Sequence, residues 1–479
     1  MKNGSQRSHV TKDTPPGLFF PLVCFRISAN LLLSEQSRNE VTIPANFREG
    51  LSLVVPPLNS SQTKATEEPV LDVRQTSCCI VGGGPGGAML ALLLARRGVP
   101  VTLLEMHKDF DREFRGDTIH PSTLEILDQI GLAAPLHEIP HTTVTGPTIQ
   151  FADGPFQPFD LRRLKTKFPY ILLVPQSRFL EFITAEARKY PQFRLVMHAQ
   201  VQSLVVEEGV VRGVRYTTDD GWHEVRAPLT VGADGRFSLV RRLAGIEPVK
   251  SSPPMDVLWF RLPHLPEDPR AESGLLGGIG MGRIFIVLDR ADCWQAGLVF
   301  PKGKYQQLKA QGVEVLRKTI AEIEPRFAKN AECLTDWQQV SLLSVQANLC
   351  PRWHQKGLLL IGDAAHVMSP VGGVGINYAI QDAVVAANIL AAPLKTGRLE
   401  ESHLAEVHRQ RLWPTRVIQA FQSFMQKRLV AGAMTAQRAG NVPWTFRLIR
   451  RIPLVRDFPT RLIGFGLRRV RLKDSSIQE

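Results

Sequence analysis

The chain has 479 residues, enough for two or three folding units at a usual domain size of roughly 150 residues. Its 44% hydrophobic and 22% charged residues are typical of a folded globular protein and exclude a disordered or fibrous one. No run approaches the ~18 uninterrupted apolar residues of a membrane span, so the sequence predicts no integral membrane protein. The net charge of +13, read alone, would indicate a nucleic acid or an acidic surface as partner.

The positive charge is concentrated near the C-terminus. Between Arg409 and Lys473 there are fifteen Lys and Arg and one acid, Asp457, so this segment carries +14 and the rest of the chain sums to −1. We therefore predict no nucleic-acid partner. From Trp444 to Arg471, Arg alternates with large apolar residues, a pattern of amphipathic segments that lie on anionic membrane surfaces. The alternative is a helical cap packed on the rest of the protein, with its arginines in water.

Residues 1–74 differ in composition from the rest of the chain. They contain clusters of Ser, Asn, Thr and Pro without a sustained period, and we predict a poorly ordered N-terminal extension. The apolar patch at 17–25 follows basic residues, as in a signal peptide, but it contains Pro21 and has no convincing cleavage site. The six cysteines lack the spacing of a zinc site or a disulfide framework, which indicates free thiols and no metal.

A β-α-β unit begins near residue 78 and spans about thirty residues. A short apolar strand at 78–81, a helix at 88–97 and a second strand at 99–105 are the unit of a parallel sheet. The first strand runs into a GxGxxG motif, which comprises Gly82, Gly84, Pro85, Gly86 and Gly87. Such glycines allow a tight turn, close approach to a pyrophosphate and close helix packing. Glu105 ends the second strand, where a carboxylate accepts hydrogen bonds from ribose hydroxyls. The unit predicts dinucleotide binding.

Further strands and one long helix extend this pattern. Strands are predicted at 194–197, 230–232 and 358–361, and a helix at 376–390. Alternating stretches such as 256–262 and 283–288 predict a second, sheet-built part. We therefore expect an α/β fold: a Rossmann-like nucleotide-binding domain (75–141, 176–251 and 351–400), an inserted sheet-rich substrate domain (142–175 and 252–350), and a basic helical C-terminal region (401–479).

Two more glycine-acid motifs lie downstream. The first is the GADGRFSLVR stretch at 232–241, and the second is GDAAH at 362–366, followed by Pro370 and a GGVGIN run at 372–377. With GxGxxG, these motifs resemble those of the single-component FAD-dependent aromatic hydroxylases of the para-hydroxybenzoate hydroxylase type, with their quinone-biosynthesis branch. The resemblance covers about residues 76–395.

The resemblance implies FAD as the bound cofactor and NADPH or NADH as electron donor. Asp363 is then expected at the ribityl hydroxyls, and the backbone of Gly375, Ile376 and Asn377 at the flavin, where a helix N-terminus stabilises negative charge. Asp234 is expected near the pyrophosphate or in arranging its own loop. The remaining expected cofactor residues are Arg115 at the phosphates, Gln176 beside the flavin, Gly235, Gly362, Pro370 and Gly373.

The substrate is expected between the flavin and the inserted sheet. Trp259 and Arg261, which share a strand face by period two, are candidate lining residues together with Phe285 and Gln295. An acidic substrate would need Arg261 in the pocket, whereas a lipophilic phenol or polyketide would not.

The implied reaction is the hydroxylation of a phenolic or quinone-precursor-like substrate by O2 through a flavin C4a-hydroperoxide. The alternatives are a flavin-dependent reductase of a lipophilic prenyl or polyketide substrate and a non-catalytic redox flavoprotein. His120 and His366 lie inside cofactor motifs, so neither is expected to be a catalytic base. We expect a cytoplasmic location, with peripheral contact at the inner face of a membrane if the basic segment binds one.

Overall fold

The computed structural model describes residues 69–111, 117–151, 153–251, 253–268, 274–280, 282–427 and 453–473, all within one compact unit of the chain. The strands, in chain order, are β1 (Val70–Gln75), β2 (Cys78–Val81), β3 (Val101–Leu104), β4 (Thr118–Ile119), β5 (Thr142–Val144), β6 (Gly146–Phe151), β7 (Gly154–Phe156), β8 (Ile171–Leu173), β9 (Phe193–Val196), β10 (Gln200–Glu207), β11 (Val210–Thr218), β12 (Gly221–Arg226), β13 (Leu229–Gly232), β14 (Val249–Ser251), β15 (Met255–Leu262), β16 (Gly274–Gly280), β17 (Arg283–Asp289), β18 (Trp294–Pro301), β19 (Ser341–Leu343), β20 (Ala347–Leu349), β21 (His354–Gln355) and β22 (Leu358–Leu360).

The α-helices of the described residues are α1 (Pro85–Arg96), α2 (Pro121–Gln129), α3 (Ala133–His137), α4 (Gln176–Arg188), α5 (Leu239–Leu243), α6 (Tyr305–Ala310), α7 (Val313–Ile323), α8 (Gly375–Lys395), α9 (Glu401–Met425) and α10 (Pro453–Phe465). Helix α1 begins three residues before its predicted start, because Gly84 takes the N-cap position and proline suits a first turn. Among the described helices, the stretch Val371–Lys395 is long and apolar enough to cross a membrane, but most of its residues are buried inside the protein, as expected of a core helix.

A six-stranded sheet contains the strands predicted around the glycine motifs. Its order is β21-β22-β13-β2-β3-β9, in which the last five strands are parallel and β21 is an antiparallel edge strand. Helices α1 and α8 pack together on one face, and α4 packs beside α1. The α/β Rossmann-like fold is therefore confirmed.

The strands of this sheet are buried on both faces. Alternate residues such as Cys78 and Ile80 join the core under the helices, whereas Cys79 and Val81 pack against a second, four-stranded sheet in the order β1-β12-β11-β10. Burial on both sides explains why these strands are continuous apolar runs in the sequence. The result is three layers: helices, parallel sheet and small sheet.

A seven-stranded sheet forms the predicted sheet-rich part, in the order β19-β15-β18-β17-β16-β6-β7. Helices α6 and α7 cover one face, where Leu258, Phe260 and Leu298 are buried. The opposite face is only half buried. The prediction that Phe285 lines the substrate site is wrong: Phe285 pairs with Leu298, lies on the helix-covered face and is fully buried there.

The structure near the two ends of the chain adds to what the sequence predicts. Residues 70–74, placed in the N-terminal extension, instead form most of β1, which pairs in parallel with β12; residues 1–68 lie outside the described residues. Within the basic C-terminal segment, Leu462, Ile463 and Phe465 of α10 are buried, which supports a packed cap for this part; residues 428–452 and 474–479 lie outside the described residues. The predicted domain boundaries stay a prediction.

Candidate active site

The carboxyl ends of four neighbouring parallel strands meet at one edge of the six-stranded sheet. The register pairs Val81 with Leu104 and Gly232 with both Val81 and Leu360, so the four strands end level with one another. The residues that follow these ends are Gly82, Glu105, Asp234 and Asp363. In open α/β sheets this edge is where ligands bind. The fold thus collects three motifs that are far apart in the sequence.

The glycine loop has the backbone geometry that dinucleotide binding requires. Gly82 has φ +104°, and a Cβ there would lie 2.5 Å from the carbonyl oxygen of Ala233. A Cβ at Gly87 would lie 2.0 Å from the carbonyl oxygen of Gly82, so helix α1 packs directly on the turn. A Cβ at Gly86 would lie 3.2 Å from the carbonyl oxygen of Ala379 in α8, a tight contact but a longer one. A Cβ at Gly84, by contrast, would meet nothing within 4 Å, which leaves open space at the helix N-terminus for a phosphate.

Glu105 holds the glycine loop in place. Its buried carboxylate accepts a hydrogen bond from the backbone N–H of Gly83 at 2.8 Å and one from the N–H of His107 at 3.0 Å. The imidazole of His107 lies 2.6 Å from the same carboxylate. The predicted contact of Glu105 with a ribose stays a prediction.

Asp234 organises its own loop, one of the two roles expected from the sequence. Its carboxylate accepts hydrogen bonds from the Ser238 hydroxyl at 2.5 Å and from the N–H of Val240 at 3.0 Å, at the start of α5. Burial raises the pKa of Asp234. The next residue, Gly235, has φ +82° and open space around its Cα. Arg241 is buried and donates to the carbonyl of Ala364, so it ties this loop to the GDAAH segment.

A buried cluster fixes the GDAAH segment. Asp382 of α8 accepts a hydrogen bond from the N–H of Gly362 at 3.0 Å, lies 2.6 Å from His366 Nε2, and accepts one from Arg411 Nε at 2.6 Å. Burial alone would raise the pKa of Asp382, but His366 and Arg411 hold it below its usual value. Asp363 itself is half buried and follows the end of β22. Asp382 and Arg411 were not found from the sequence.

The loop of residues 370–376, here called the 370–376 loop, leads into α8. Gly372 and Gly373 have φ +80° and +62°, and Gly373 N–H donates to the carbonyl of Pro370. The first N–H groups of a helix have no partner within it, so those of Gly375, Ile376 and Asn377 are available at the N-terminus of α8.

The side chain of Asn377 fastens the start of α8 to strand β4. It is buried, accepts from the N–H of His120 at 2.8 Å and donates to the carbonyl of Thr118 at 3.0 Å. The Thr118 hydroxyl in turn donates to the carbonyl of Gly373 at 2.8 Å. The side-chain amide therefore positions the loop, and the predicted cofactor contact concerns its backbone.

Gln176 lies at the N-terminus of α4, and its N–H donates to Asp117 at 3.0 Å. The other oxygen of Asp117 pairs with Arg290, which also contacts Gln295. This chain of contacts joins the segment before Thr118 to the seven-stranded sheet. Arg115 lies outside the described residues, and its predicted phosphate contact stays a prediction.

The two histidines inside the cofactor motifs are structural in their surroundings. His120 is fully buried, and its Nδ1 lies 2.8 Å from the carbonyl oxygen of Ile463 in α10. Burial lowers the pKa of His120 to about 4, so it is neutral near pH 7. His366 is equally buried and held by Asp382. These surroundings support the expectation that neither is a catalytic base.

The half-buried face of the seven-stranded sheet meets the 370–376 loop. Gly297 of β18 pairs with Trp259 of β15 on one side and with Ile286 of β17 on the other. The Trp259 ring lies over this glycine, 3.0 Å from the position that a Cβ would take there. Val371 of the loop packs against the same buried cluster as Trp259 and Ile284 of this face. This face is apolar, with Gln295 half buried toward one end of it.

Arg261 shares this face with Trp259, as the period of two predicts, but its side chain is exposed to solvent. The buried part of the face therefore lacks a guanidinium from this strand.

The edge of the six-stranded sheet and the apolar face of the seven-stranded sheet together fit a flavin dinucleotide. The glycine loop offers an open cradle for a pyrophosphate, and Glu105 and Asp363 follow the ends of β3 and β22 in the same sheet. Val371, just before the N-terminus of α8, packs against the same buried cluster as Trp259 of the apolar face. A fold with such an edge and wall is that of an FAD-dependent oxidoreductase.

Comparison with known proteins gives the family. The FAD binding domain family (FAD_binding_3) matches residues 75–420, and the chain belongs to it. It is 34% identical over 413 residues to 6-methylpretetramide 4-monooxygenase of Streptomyces rimosus, covering 86% of this chain and 97% of that protein. It is 29% identical over 325 residues to 12-dehydrotetracycline 5-monooxygenase/anhydrotetracycline 6-monooxygenase of Streptomyces rimosus, with 64% and 60% covered.

Among solved structures, PqsL of P. aeruginosa in complex with 2-aminobenzoylacetate matches with a TM-score of 0.66 and 22% identity, covering 76% of this chain and 98% of that one. The chain is therefore an FAD-dependent monooxygenase of the aromatic hydroxylase type, and the reductase alternative is not favoured. NAD(P)H is the usual electron donor of this family.

Proposed function

We propose that the enzyme hydroxylates a multi-ring aromatic phenol of polyketide type. The observation that carries the proposal is the apolar, half-buried face around Trp259, Ile284 and Ile286, opposite the 370–376 loop. A flat hydrocarbon-rich ring system gains from burial against such a wall, at roughly 25 cal/mol per Å². A small aromatic acid would instead need a buried cation, and Arg261 is exposed.

In this proposal the residues of the edge hold FAD. The N–H groups at the start of α1 and the open space at Gly84 receive the pyrophosphate, and Asp363 accepts from the ribityl hydroxyls. Glu105 receives the adenosine ribose, Arg115 a phosphate, and Gln176 lies beside the flavin. Bound FAD supplies the redox chemistry, taking a hydride equivalent from NAD(P)H and inserting one atom of O2 into the substrate, the other leaving as water.

The protein then orients the substrate and excludes water. Trp259, which lies across Gly297, stacks on the substrate in this proposal, and Val371 of the loop packs against the same buried cluster as Trp259. The backbone N–H groups at the start of α8 stabilise negative charge that develops on the flavin pyrimidine.

The substrate panel that tests this proposal contains 6-methylpretetramide, a three-ring polyketide phenol and para-hydroxybenzoate. We expect the multi-ring compounds to stimulate NADPH oxidation and to yield a product with one added oxygen, whereas para-hydroxybenzoate does neither. Stimulation by para-hydroxybenzoate alone would contradict the proposal. The same assay with NADH in place of NADPH gives the donor preference.

The location of the enzyme is a further proposal. We infer a cytoplasmic enzyme, and the burial of Leu462, Ile463 and Phe465 supports the packed-cap alternative for this part of the basic segment rather than a membrane contact.

A further inference from the structure

Helix α10 lies beyond residue 420, where the family match ends, and the proposed function gives it no part. It is nevertheless inserted into the core. The residues of its second half that are less than 10% exposed are Thr460, Leu462, Ile463, Gly464 and Phe465. Arg461, between them, faces solvent. Because the last two turns of α10 are so deeply buried, the helix constrains the segments that it contacts.

The first neighbour of α10 is the 370–376 loop. The position of a Cβ on Gly372 would lie 3.7 Å from Ile463 Cγ1 and 3.9 Å from its Cδ1. Gly372 has φ +80°, a backbone conformation that glycine adopts readily. The preceding residue of α10, Leu462, belongs to the same buried cluster as Val374 of the loop and Met368, which precedes the loop. The loop therefore rests on two consecutive side chains of α10.

The second neighbour is His120, which links α10 to the start of α8. A carbonyl oxygen only accepts, so the contact of His120 Nδ1 with the carbonyl of Ile463 at 2.8 Å assigns the hydrogen to Nδ1. The backbone N–H of His120 donates to Asn377 in the first turn of α8. The side chain of Ile463 thus lies beside Gly372 of the loop, and its carbonyl is linked to the start of α8 through His120.

The third neighbour is the side of the seven-stranded sheet. A Cβ on Gly464 would lie 2.6 Å from Leu164 Cδ1, so the helix passes very close to that residue. Phe465 shares a core with Leu164, against which Leu275 and Leu288 of the half-buried face also pack. The last turn of α10 therefore lies between the loop and the sheet.

We propose that Ile463 is a positioning residue of the active site, and that α10 holds the 370–376 loop in the conformation that shields the flavin from water. The inference rests on the proposed placement of the flavin at this loop, but not on the proposed substrate. A loop without this support would admit water to the reduced cofactor, and electrons from NAD(P)H would reduce O2 to H2O2 instead of oxygenating a substrate.

The test compares holoenzymes carrying Ile463→Ala, Ile463→Val and Arg461→Ala. Without substrate, the rate of H2O2 release per FAD-loaded enzyme and iodide quenching of flavin fluorescence are measured, together with FAD content. We expect Ile463→Ala to raise the H2O2 rate on the order of tenfold and to increase the quenching, because a site that admits water no longer prevents the side reactions of a reduced flavin. Ile463→Val should show a smaller rise in both readouts, and Arg461→Ala should match the wild type.

Equal H2O2 rates and equal quenching in Ile463→Ala and Arg461→Ala would overturn the proposal. If Ile463→Ala yields no folded holoenzyme, Ile463→Val, which removes one methylene, decides by the same two readouts. Because no substrate is present, these results are independent of the outcome of the substrate panel.

Discussion

The two surfaces of the active site use different parts of the chain. At the edge of the six-stranded sheet, the backbone forms the site: Gly82, Gly84 and Gly87 matter for the side chains they lack. On the half-buried face of the seven-stranded sheet, side chains such as Trp259 and Ile286 form the wall. A site for one fixed cofactor accepts few residue types at each position, whereas many combinations of apolar residues can form a wall for a substrate.

Substitutions at the two surfaces should therefore act differently. A methyl group added at Gly82 or Gly87 meets backbone atoms that cannot move, so it should affect folding and FAD binding together. A methyl group at Gly84 meets no protein atom and should affect FAD binding alone, and a side chain removed from the wall should affect mainly the binding of the substrate.

The pair Gly87→Ala and Gly84→Ala gives the largest expected effect. The new methyl group at position 87 would lie 2.0 Å from the carbonyl oxygen of Gly82, so we expect no folded, FAD-bound protein. At position 84 the methyl group would meet no protein atom within 4 Å, and Gly84 has φ −67°, which alanine adopts freely. This variant should fold but bind FAD on the order of tenfold more weakly, about 1.4 kcal/mol.

Soluble yield, far-UV circular dichroism and FAD titration distinguish the two variants. Wild-type FAD affinity in Gly84→Ala would contradict the placement of the pyrophosphate.

Asp382→Asn tests the buried cluster that holds the edge. Removal of this charge leaves Arg411, only 1% exposed, without its anionic partner. We expect a loss of about 3–5 kcal/mol in the free energy of unfolding, measured by urea titration. The double variant Asp382→Asn/Arg411→Met should regain part of this loss, since it no longer buries an uncompensated charge. A single variant as stable as the wild type would exclude the cluster as a structural support.

Phe285→Ala and Trp259→Ala test the two faces of the seven-stranded sheet. Phe285 is fully buried against Phe260 and Phe327, so its truncation should cost about 3–5 kcal/mol of stability with an unchanged KM of the folded fraction. Trp259 is half buried beside the loop, so its truncation should raise KM for a multi-ring substrate and cost less stability. An unchanged KM in Trp259→Ala, in steady-state assays, would remove this residue from the substrate wall.

The buried imidazole of His120 predicts a modest dependence of the protein's stability on pH. The pKa of His120 is about 4 in the folded protein, against an ordinary value of 6.5. Between these values the unfolded chain binds a proton that the folded one does not, so stability is lost as pH falls from 6.5 toward 4. His120→Asn should reduce this pH slope by up to about 1.4 kcal/mol per unit, with parallel curves above pH 7. Urea titrations from pH 8 to 5 check it, and an unaltered slope would contradict a neutral buried His120.

Much of the edge could be predicted from the sequence because geometry forces the residue type. The strand Cys78–Val81 and the acid at the end of the next strand were predicted, since a tight turn and a close helix require glycine at fixed spacing. The supports of the edge could not be predicted. Asp382 and Arg411 lie 29 residues apart and meet only because α8 and α9 pack together.

The wall could be predicted only in part. The period of two correctly placed Trp259 and Arg261 on one face, but it cannot say which face another strand presents. That choice depends on register: Phe285 lies opposite Leu298, which lies opposite Leu258, and these three point toward the helices. Arg261 is exposed because it lies next to the end of its strand, one residue before Leu262.

Oxygenation with ¹⁸O2 tests the central claim most directly. Holoenzyme, NADPH and 6-methylpretetramide or a three-ring polyketide phenol are incubated under ¹⁸O2, and the product is analysed by mass spectrometry. We predict one ¹⁸O atom per product molecule and one NADPH consumed for each. A product that lacks ¹⁸O, or one that has gained two hydrogens instead of an oxygen, would contradict the assignment of a monooxygenase acting on a multi-ring aromatic substrate.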